Sequence, residues 1–319
     1  MPMQRRTLTI AVLTYRRPET LRMSLPSILQ QVRDINADTT ARITARLLVI
    51  DNDPAQSARG VVEEVVAGGG HYVLEPEPGI SAGRNRALDW AGDDDLLIFI
   101  DDDEEPQPGW LRALVDTWRD TQAAAVMGRV VSVFHSTVDP WVAAGDFFRR
   151  PRMPTGTQIN VAAAGNLLLD LGQVRQSGAR FDSRLGLSGG EDNLFSRQLV
   201  QHGGRMVWCD ESVAHDIVPP DRVTRDWLLK RAWSHGNTAS VIELYLAHGP
   251  TARLTVKIRA VSSGMVRVAG GYGRYALGRV IGSARHEARG LRTARRGAGM
   301  IAASAGRVYE EYSRGEPRR

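Results

Sequence analysis

At 319 residues the chain has room for one large domain with appendages, or for two domains. Its composition, 42% apolar and 24% charged, is that of a soluble globular protein, and no stretch approaches the ~20 apolar residues of a spanning helix. A single cysteine, Cys209, excludes an intramolecular disulfide and suits a reducing compartment.

The net charge of +5 conceals an asymmetry. Residues 251–319 carry 15 Lys and Arg against 4 Asp and Glu, whereas residues 1–250 carry 26 against 32. An acidic body with a basic tail reads as two functional parts. Arg5-Arg6 before Leu8–Leu13 imitates a signal peptide, but the apolar run is too short and Arg16-Arg17 follows it with no small-residue cleavage site. The expectation is a cytoplasmic protein.

Taken in order, Thr7–Thr14 alternates and then runs apolar, as a first central strand does. Pro18 opens a helix through about Arg33. Arg46–Ile50 is a second buried strand ending at Asp51-Asn52-Asp53-Pro54, followed by a helix from about Ser57 to Ala67 that stops at Gly68-Gly69-Gly70. His71–Leu74 is a short strand, and after the loop 75–79 Ser81 caps a helix through Trp90. Asp93-Asp94-Asp95 reads as a solvated turn before the fourth strand, Leu96–Ile100. Strand–helix alternation over about a hundred residues is the signature of a parallel, doubly wound sheet. Gly-x-Gly-x-x-Gly and the P-loop pattern are both absent.

The fourth strand runs into Asp101-Asp102-Asp103. Unpaired carboxylates cannot be core, and ligands of open α/β sheets gather at the carboxyl ends of strands. Carboxylates this crowded call for a cation, and a hard divalent ion bridging substrate phosphates would serve. A solvated acidic turn is the competing account. Thr14 and Asp51 end neighbouring strands at the same edge, the geometry of a nucleotide site, although Asp51 before Asn-Asp-Pro also suits a simple turn.

Further on, Trp110–Thr121 reads as a helix and Ala124–Val133 as a strand. Phe134, Trp141, Phe147 and Phe148 lie in an irregular stretch, either as stacking platforms for sugar rings or as loop anchors. Gly165-Asn166 interrupts an apolar run where backbone can approach a ligand. Gly186–Asn193 places Glu191 and Asp192 at a glycine-rich helix start, either as a capped N-terminus or as a general base beside an acceptor contact. Met206–Trp208 is a last short strand, and His215 follows in a loop, solvated or a metal ligand. Trp227–Tyr245 is a helix whose Lys230, Arg231 and His235 would face a leaving diphosphate or simply water. Beyond Thr251, apolar residues mixed with arginines match segments that lie on anionic membranes, with a loose solvated tail as the alternative for the last ~25 residues. Nucleic-acid binding would need a base-reading module, and none is found.

Five motifs in order, Thr14–Pro18, Val49–Pro54, Pro76–Asn85, Phe99–Glu104 and Gly189–Asp192, resemble those of the family 2 glycosyltransferases of GT-A fold, with most likeness to the ExoM-type enzymes of succinoglycan and related exopolysaccharide assembly. The likeness covers about residues 1–245, which divide into a nucleotide-binding half (1–105) and an acceptor-binding half (106–245), leaving 246–319 as a basic amphipathic C-terminal region. It implies an inverting sugar transfer from a nucleotide diphosphate donor, usually UDP-linked, to a saccharide acceptor, lipid-linked in this reading, at the inner face of the plasma membrane. By position, Thr14, Asp51 and Arg84 would hold uracil and ribose, with Arg16, Asp102, Gly165, Asn166 and Arg231 in the same donor-binding set. Asp101 and Asp103 would engage the donor and Mg²⁺ or Mn²⁺, with His215 completing the metal shell. Asp192 would be the base and Glu191 the acceptor contact. The rivals are a nucleotidyltransferase, which wants a glycine-bearing phosphate loop where Thr14–Arg17 has none, and a silent saccharide- or membrane-binding relative, which has no need of both acidic pairs.

Overall fold

The computed structural model describes residues 5–66 and 69–310, so the expected helix end at Ala67 and the first of its stop glycines, Gly68, lie outside it. The first half follows the alternation: β1 (Arg6–Thr14), α1 (Pro18–Ala37), β2 (Ile43–Asp51), α2 (Arg59–Val66), β3 (Gly70–Leu74), α3 (Ile80–Trp90) and β4 (Leu96–Asp101). These four strands are parallel, in the order β3-β2-β1-β4. Their register pairs Thr14 with Asp51 and Leu13 with Asp101, so the polar strand ends share one edge of the sheet.

The second half supplies β5 (Glu104–Pro106), α4 (Trp110–Thr121), β6 (Ala125–Val133), α5 (Pro140–Gly145), β7 (Gln158–Ile159), β8 (Asn166–Asp170), α6 (Leu171–Ser177), α7 (Glu191–Gln201) and β9 (Met206–Ile217). β8 runs antiparallel between β4 and β6, and β9 lies beside β6, with β5 and β7 pairing onto it. A mixed, mostly parallel sheet of nine strands results among the described residues. Leu21, Leu25 and Ile28 of α1 and Trp110 and Leu114 of α4 cover one face. The other is filled by Phe99, Phe181 and Phe195, the last two stacked at 4.3 Å with Phe99 edge-on.

Several sequence expectations change. Ser81 is not the cap of α3: Gly79, at φ +112°, takes that place, and the Ser81 hydroxyl donates to the Asp182 carbonyl. The turn before β4 is not simply solvated, because Asp94 is buried and accepts from Thr9 and Arg46, while Asp95 takes Arg6 and Thr7. The aromatics near α5 are anchors: Trp141 stacks on Phe147 at 5.4 Å and Phe134 meets Phe148 edge-on.

Three helices follow, α8 (Arg225–Leu246), α9 (Pro250–Ile281) and α10 (Ala284–Ser304). The expected boundary falls at the end of α8, yet α10 is no appendage, for it packs along α8 and α5 as well as α9. Glycine makes this packing possible. A Cβ at Gly271 of α9 would stand 2.5 Å from the Ala294 backbone nitrogen of α10, a distance no side chain tolerates.

Candidate active site

The end of β4 is organised by cations from distant parts of the chain. Thr14 donates to Asp102 at 2.8 Å, and Arg17 donates to Asp102 at 3.2 Å and to Asp103 at 3.3 Å. Arg222, in the short 3-10 turn before α8, reaches Asp103 at 3.1 Å. Asp102 is thereby turned inward, where burial raises its carboxyl against the pull of Arg17. Asp101 is the most accessible of the three, with 47% of its side chain exposed against 17% for Asp103 and 6% for Asp102. Desolvation nevertheless raises its carboxyl to about 6, with Arg84 opposing the shift and Asp103 and Asp102 reinforcing it.

Gly165 lies against this group. A Cβ there would stand 2.8 Å from Asp101 Oδ2 and 2.9 Å from Glu104 Oε1, so a larger residue would have to displace these carboxylates. Glu104 is itself buried, its Oε2 has no hydrogen-bond partner, and burial holds its carboxyl well above the usual range.

Arg84 of α3 connects the acidic strand end to the head of α7. Its Nη1 donates to Glu191 Oε1, its Nη2 lies 3.9 Å from Asp101, and its guanidinium sits 5.5 Å over the Phe181 ring. Gly189 and Gly190, both at positive φ, turn the chain into α7 so that Glu191 points inward. Glu191 is buried with Oε2 unpartnered, and desolvation pushes its carboxyl up to about 7 despite Arg84. Asp192, one residue on, is half-buried, and its Oδ1 accepts from the Asn193 backbone nitrogen at 2.7 Å.

The nucleoside-side candidates divide. Arg16, at φ +54°, is more than half exposed and pairs with Asp53 at 3.4 Å. Asp51 is fully buried and accepts from the Asp53 and Ala58 backbone nitrogens and from the Tyr72 hydroxyl. It fixes the 53–58 loop from beneath, a turn role and a site-shaping role at once. Asn166 is likewise turned into the fold: it accepts from the Trp110 indole at 2.9 Å and donates to the Arg129 and Ser212 carbonyls, which removes its amide as a donor contact. Asn166→Ala should therefore cost about 3 kcal/mol in chemical denaturation, since it strands the buried Trp110 indole and Ser212 carbonyl and the half-buried Arg129 carbonyl. Unchanged stability with weakened nucleotide affinity would return Asn166 to the binding set. Arg231 stands on α8 with its guanidinium 6.0 Å from the Trp227 ring.

His215 is not in a loop and does not join the carboxylates. β9 continues through Ile217, and its register sets Asp216 opposite Glu104 and His215 opposite Glu105. Because side chains alternate across a strand, Asp216 shares the face of Glu104 and the imidazole takes the other. Asp216 accepts from Ser132 at 3.3 Å and from Arg150 at 2.5 Å. Arg17, Glu104, Arg150, Asp216 and Arg222 are thus site residues that motif reading missed. Arg17 and Glu104 sit within the quoted motifs; the other three meet the site through long-range pairing that no local pattern records.

Among the described residues no three His, Cys, Asp or Glu form a metal cage. The acidic end instead offers hard oxygen donors, Asp101 exposed to solvent and Asp103 beside it. This fits a magnesium-like ion that draws the rest of its shell from water and substrate phosphates.

A sheet of this order with an acidic strand end and a carboxylate-headed helix has the GT-A fold of nucleotide-sugar glycosyltransferases. The sequence profile described as "Glycosyl transferase family 2" matches residues 9–169. Succinoglycan biosynthesis protein ExoM of Rhizobium meliloti is 34% identical over 277 residues, spanning 84% of this chain and 85% of that protein. The glucosyl-dolichyl phosphate glucuronosyltransferase of Haloferax volcanii is 23% identical, over 68% and 73% of the two chains. Among solved structures, the mannosyltransferase PcManGT of Pyrobaculum calidifontis, in complex with GDP-Man and Mn²⁺, superposes with a TM-score of 0.56 at 17% identity, covering 92% of this chain and 87% of that one. TarS of S. aureus with UDP gives 0.51 at 15% identity, covering 98% of each. The chain belongs to the family 2 glycosyltransferases.

Proposed function

We propose that this glycosyltransferase moves a sugar, with inversion, from a nucleotide diphosphate donor of the UDP class to a saccharide hydroxyl, on a lipid-linked acceptor of exopolysaccharide assembly at the inner face of the plasma membrane. The observation that carries the reading is Arg84, whose guanidinium lies between Glu191 and Asp101 and so ties the acidic strand end to the head of α7. The base and the leaving group would then stand across one cleft.

Asp192 takes the proton of the acceptor hydroxyl as its oxygen attacks the anomeric carbon, and the bond to the diphosphate breaks on the opposite face. One in-line displacement inverts the centre, the geometry of inverting glycosidases. Asp101 and Asp103 would hold Mg²⁺ or Mn²⁺, which when bound neutralises charge on the departing diphosphate. Glu191 and Arg84 keep the α7 head and the strand end in register, and Thr14, Arg16 and the loop fixed by Asp51 line the nucleoside side. The ExoM relative supports the polysaccharide setting, and the Mn²⁺-bound mannosyltransferase of like fold supports a divalent ion.

Calorimetric titration of UDP, GDP and dTDP, each with Mn²⁺ and with EDTA, tests this. Metal-dependent binding of UDP is the expected result. Binding of GDP or dTDP alone would overturn the donor class, and no binding by folded protein would favour a silent relative.

A further inference from the structure

The exposed apolar surface of this protein is concentrated on one helix. Among the described residues, eight of the eleven exposed large apolar side chains belong to α9. Leu254, Ile258, Met265 and Tyr272 recur at helical spacing along one line, and Val266 and Val280, 73% and 85% exposed, widen it. Ala260, Gly264, Gly271 and Gly278 form the buried stripe against α10, and the apolar face lies on the side away from that contact.

Cations border this face. Lys257 and Arg279 project along one margin and Arg259, Arg267 and Arg274 along the other, by their angular positions on the helix. α9 contains no Asp or Glu. At 32 residues it is about 48 Å long, yet no helix among the described residues is long and apolar enough to cross a membrane. A long helix with an outward apolar face and basic margins suits the plane of a lipid interface, with side chains in the acyl boundary and cations at the headgroups.

We infer that α9 is a membrane-docking helix which lies flat on anionic lipid, and that α10 is the strut joining it to the catalytic body. Charge complementarity selects lipid over a second copy of the chain, since pairing two α9 faces would set cations against cations. The strut follows from packing: α10 contacts α9 on one side and α8 and α5 on the other. Deleting the whole C-terminal region would therefore strip α8 and α5 as well as the docking face, and point substitutions are the cleaner probe.

The test is co-sedimentation of the full chain with phosphatidylcholine vesicles, with and without phosphatidylglycerol, for wild type and for Leu254→Asn/Ile258→Asn/Met265→Gln/Val280→Asn. These side chains are exposed, so circular dichroism and thermal unfolding should not change. Wild type is expected to sediment with anionic vesicles and not with neutral ones, and the quadruple variant should lose at least tenfold in partitioning. Lys257→Gln/Arg259→Gln/Arg279→Gln should lose about fivefold for each cation removed. A fluorophore on Tyr272→Cys, with Cys209 buried and out of reach, should shift to the blue on anionic vesicles. Equal sedimentation of wild type and quadruple variant, or no sedimentation of wild type, overturns the inference. Self-association of wild type that the variant abolishes, without lipid binding, would assign the face to a second copy. None of these readouts requires donor, acceptor or metal, so failure here leaves the proposed chemistry standing.

Discussion

Asp192→Asn should lower turnover by about a thousandfold while leaving UDP affinity within a few-fold and thermal stability nearly unchanged. The substitution is close to isosteric. Its side-chain carbonyl can still accept from the Asn193 nitrogen, as the Asp192 Oδ1 does at 2.7 Å, so the first turn of α7 keeps its local bond. What disappears is the negative charge and the capacity to take a proton. The neighbouring carboxylate provides the control. Glu191 is buried against Arg84, and Glu191→Gln removes the charge of the carboxylate that this guanidinium donates to, with Asp101 3.9 Å away on its other side. It should cost stability as well as activity, because a buried cation loses its closest counter-charge. If Asp192→Asn retained comparable turnover in single-turnover assays, Asp192 would not be the base, whatever the fate of Glu191.

The contrast shows what local pattern can and cannot reveal. The Gly-Gly-Glu-Asp stretch announces two carboxylates at a helix start, but not which one is buried. That depends on Arg84, 107 residues away in sequence, and on the glycine turn that points Glu191 inward. The parallel half of the sheet was legible because Ile10–Leu13, Leu47–Ile50 and Leu96–Ile100 are apolar runs ending in the polar residues Thr14, Asp51 and Asp101, a pattern set by burial on both faces. β9 was not. Beyond Cys209 it carries Asp210, Glu211, His215 and Asp216, a composition that reads as loop and becomes strand only by pairing with β6 and β5. His215 was misplaced for that reason: assignment to a loop leaves a side chain free to point anywhere, whereas a pleat dictates its face. Asn166 failed differently. Beside a glycine at a strand entry it suggested a ligand contact, and only the three-dimensional position of the Trp110 indole makes it a core connector. In the C-terminal region a loose tail was one reading of the last ~25 residues, yet α10 runs through Ser304 and its glycines let its backbone touch that of α9.

Asp101→Ala should abolish most of the difference between UDP titrations in Mn²⁺ and in EDTA, lowering affinity in Mn²⁺ by roughly a hundredfold and leaving the EDTA value alone. Of the three strand-end carboxylates, Asp101 is the one most open to solvent, while Asp102 is held by Thr14 and Arg17. Asp103→Ala should reduce the metal effect too, but with a loss of stability that Asp101→Ala lacks, because Arg17 and Arg222 both lose a partner. A second readout needs no ligand. Desolvation, reinforced by the neighbouring Asp103 and Asp102 and opposed by Arg84, raises the Asp101 carboxyl to about 6, above its ordinary value of ~3.9. A raised folded-state pKa means that stability present below pH ~4 is lost as the pH climbs through about 6. In EDTA, then, the melting temperature of Asp101→Ala relative to wild type should rise between pH 4 and about 7, and saturating Mn²⁺ should favour wild type at the upper end. A Mn²⁺-dependent UDP affinity that survives Asp101→Ala unchanged would place the metal elsewhere and dissolve the assignment of the Asp101/Asp103 pair.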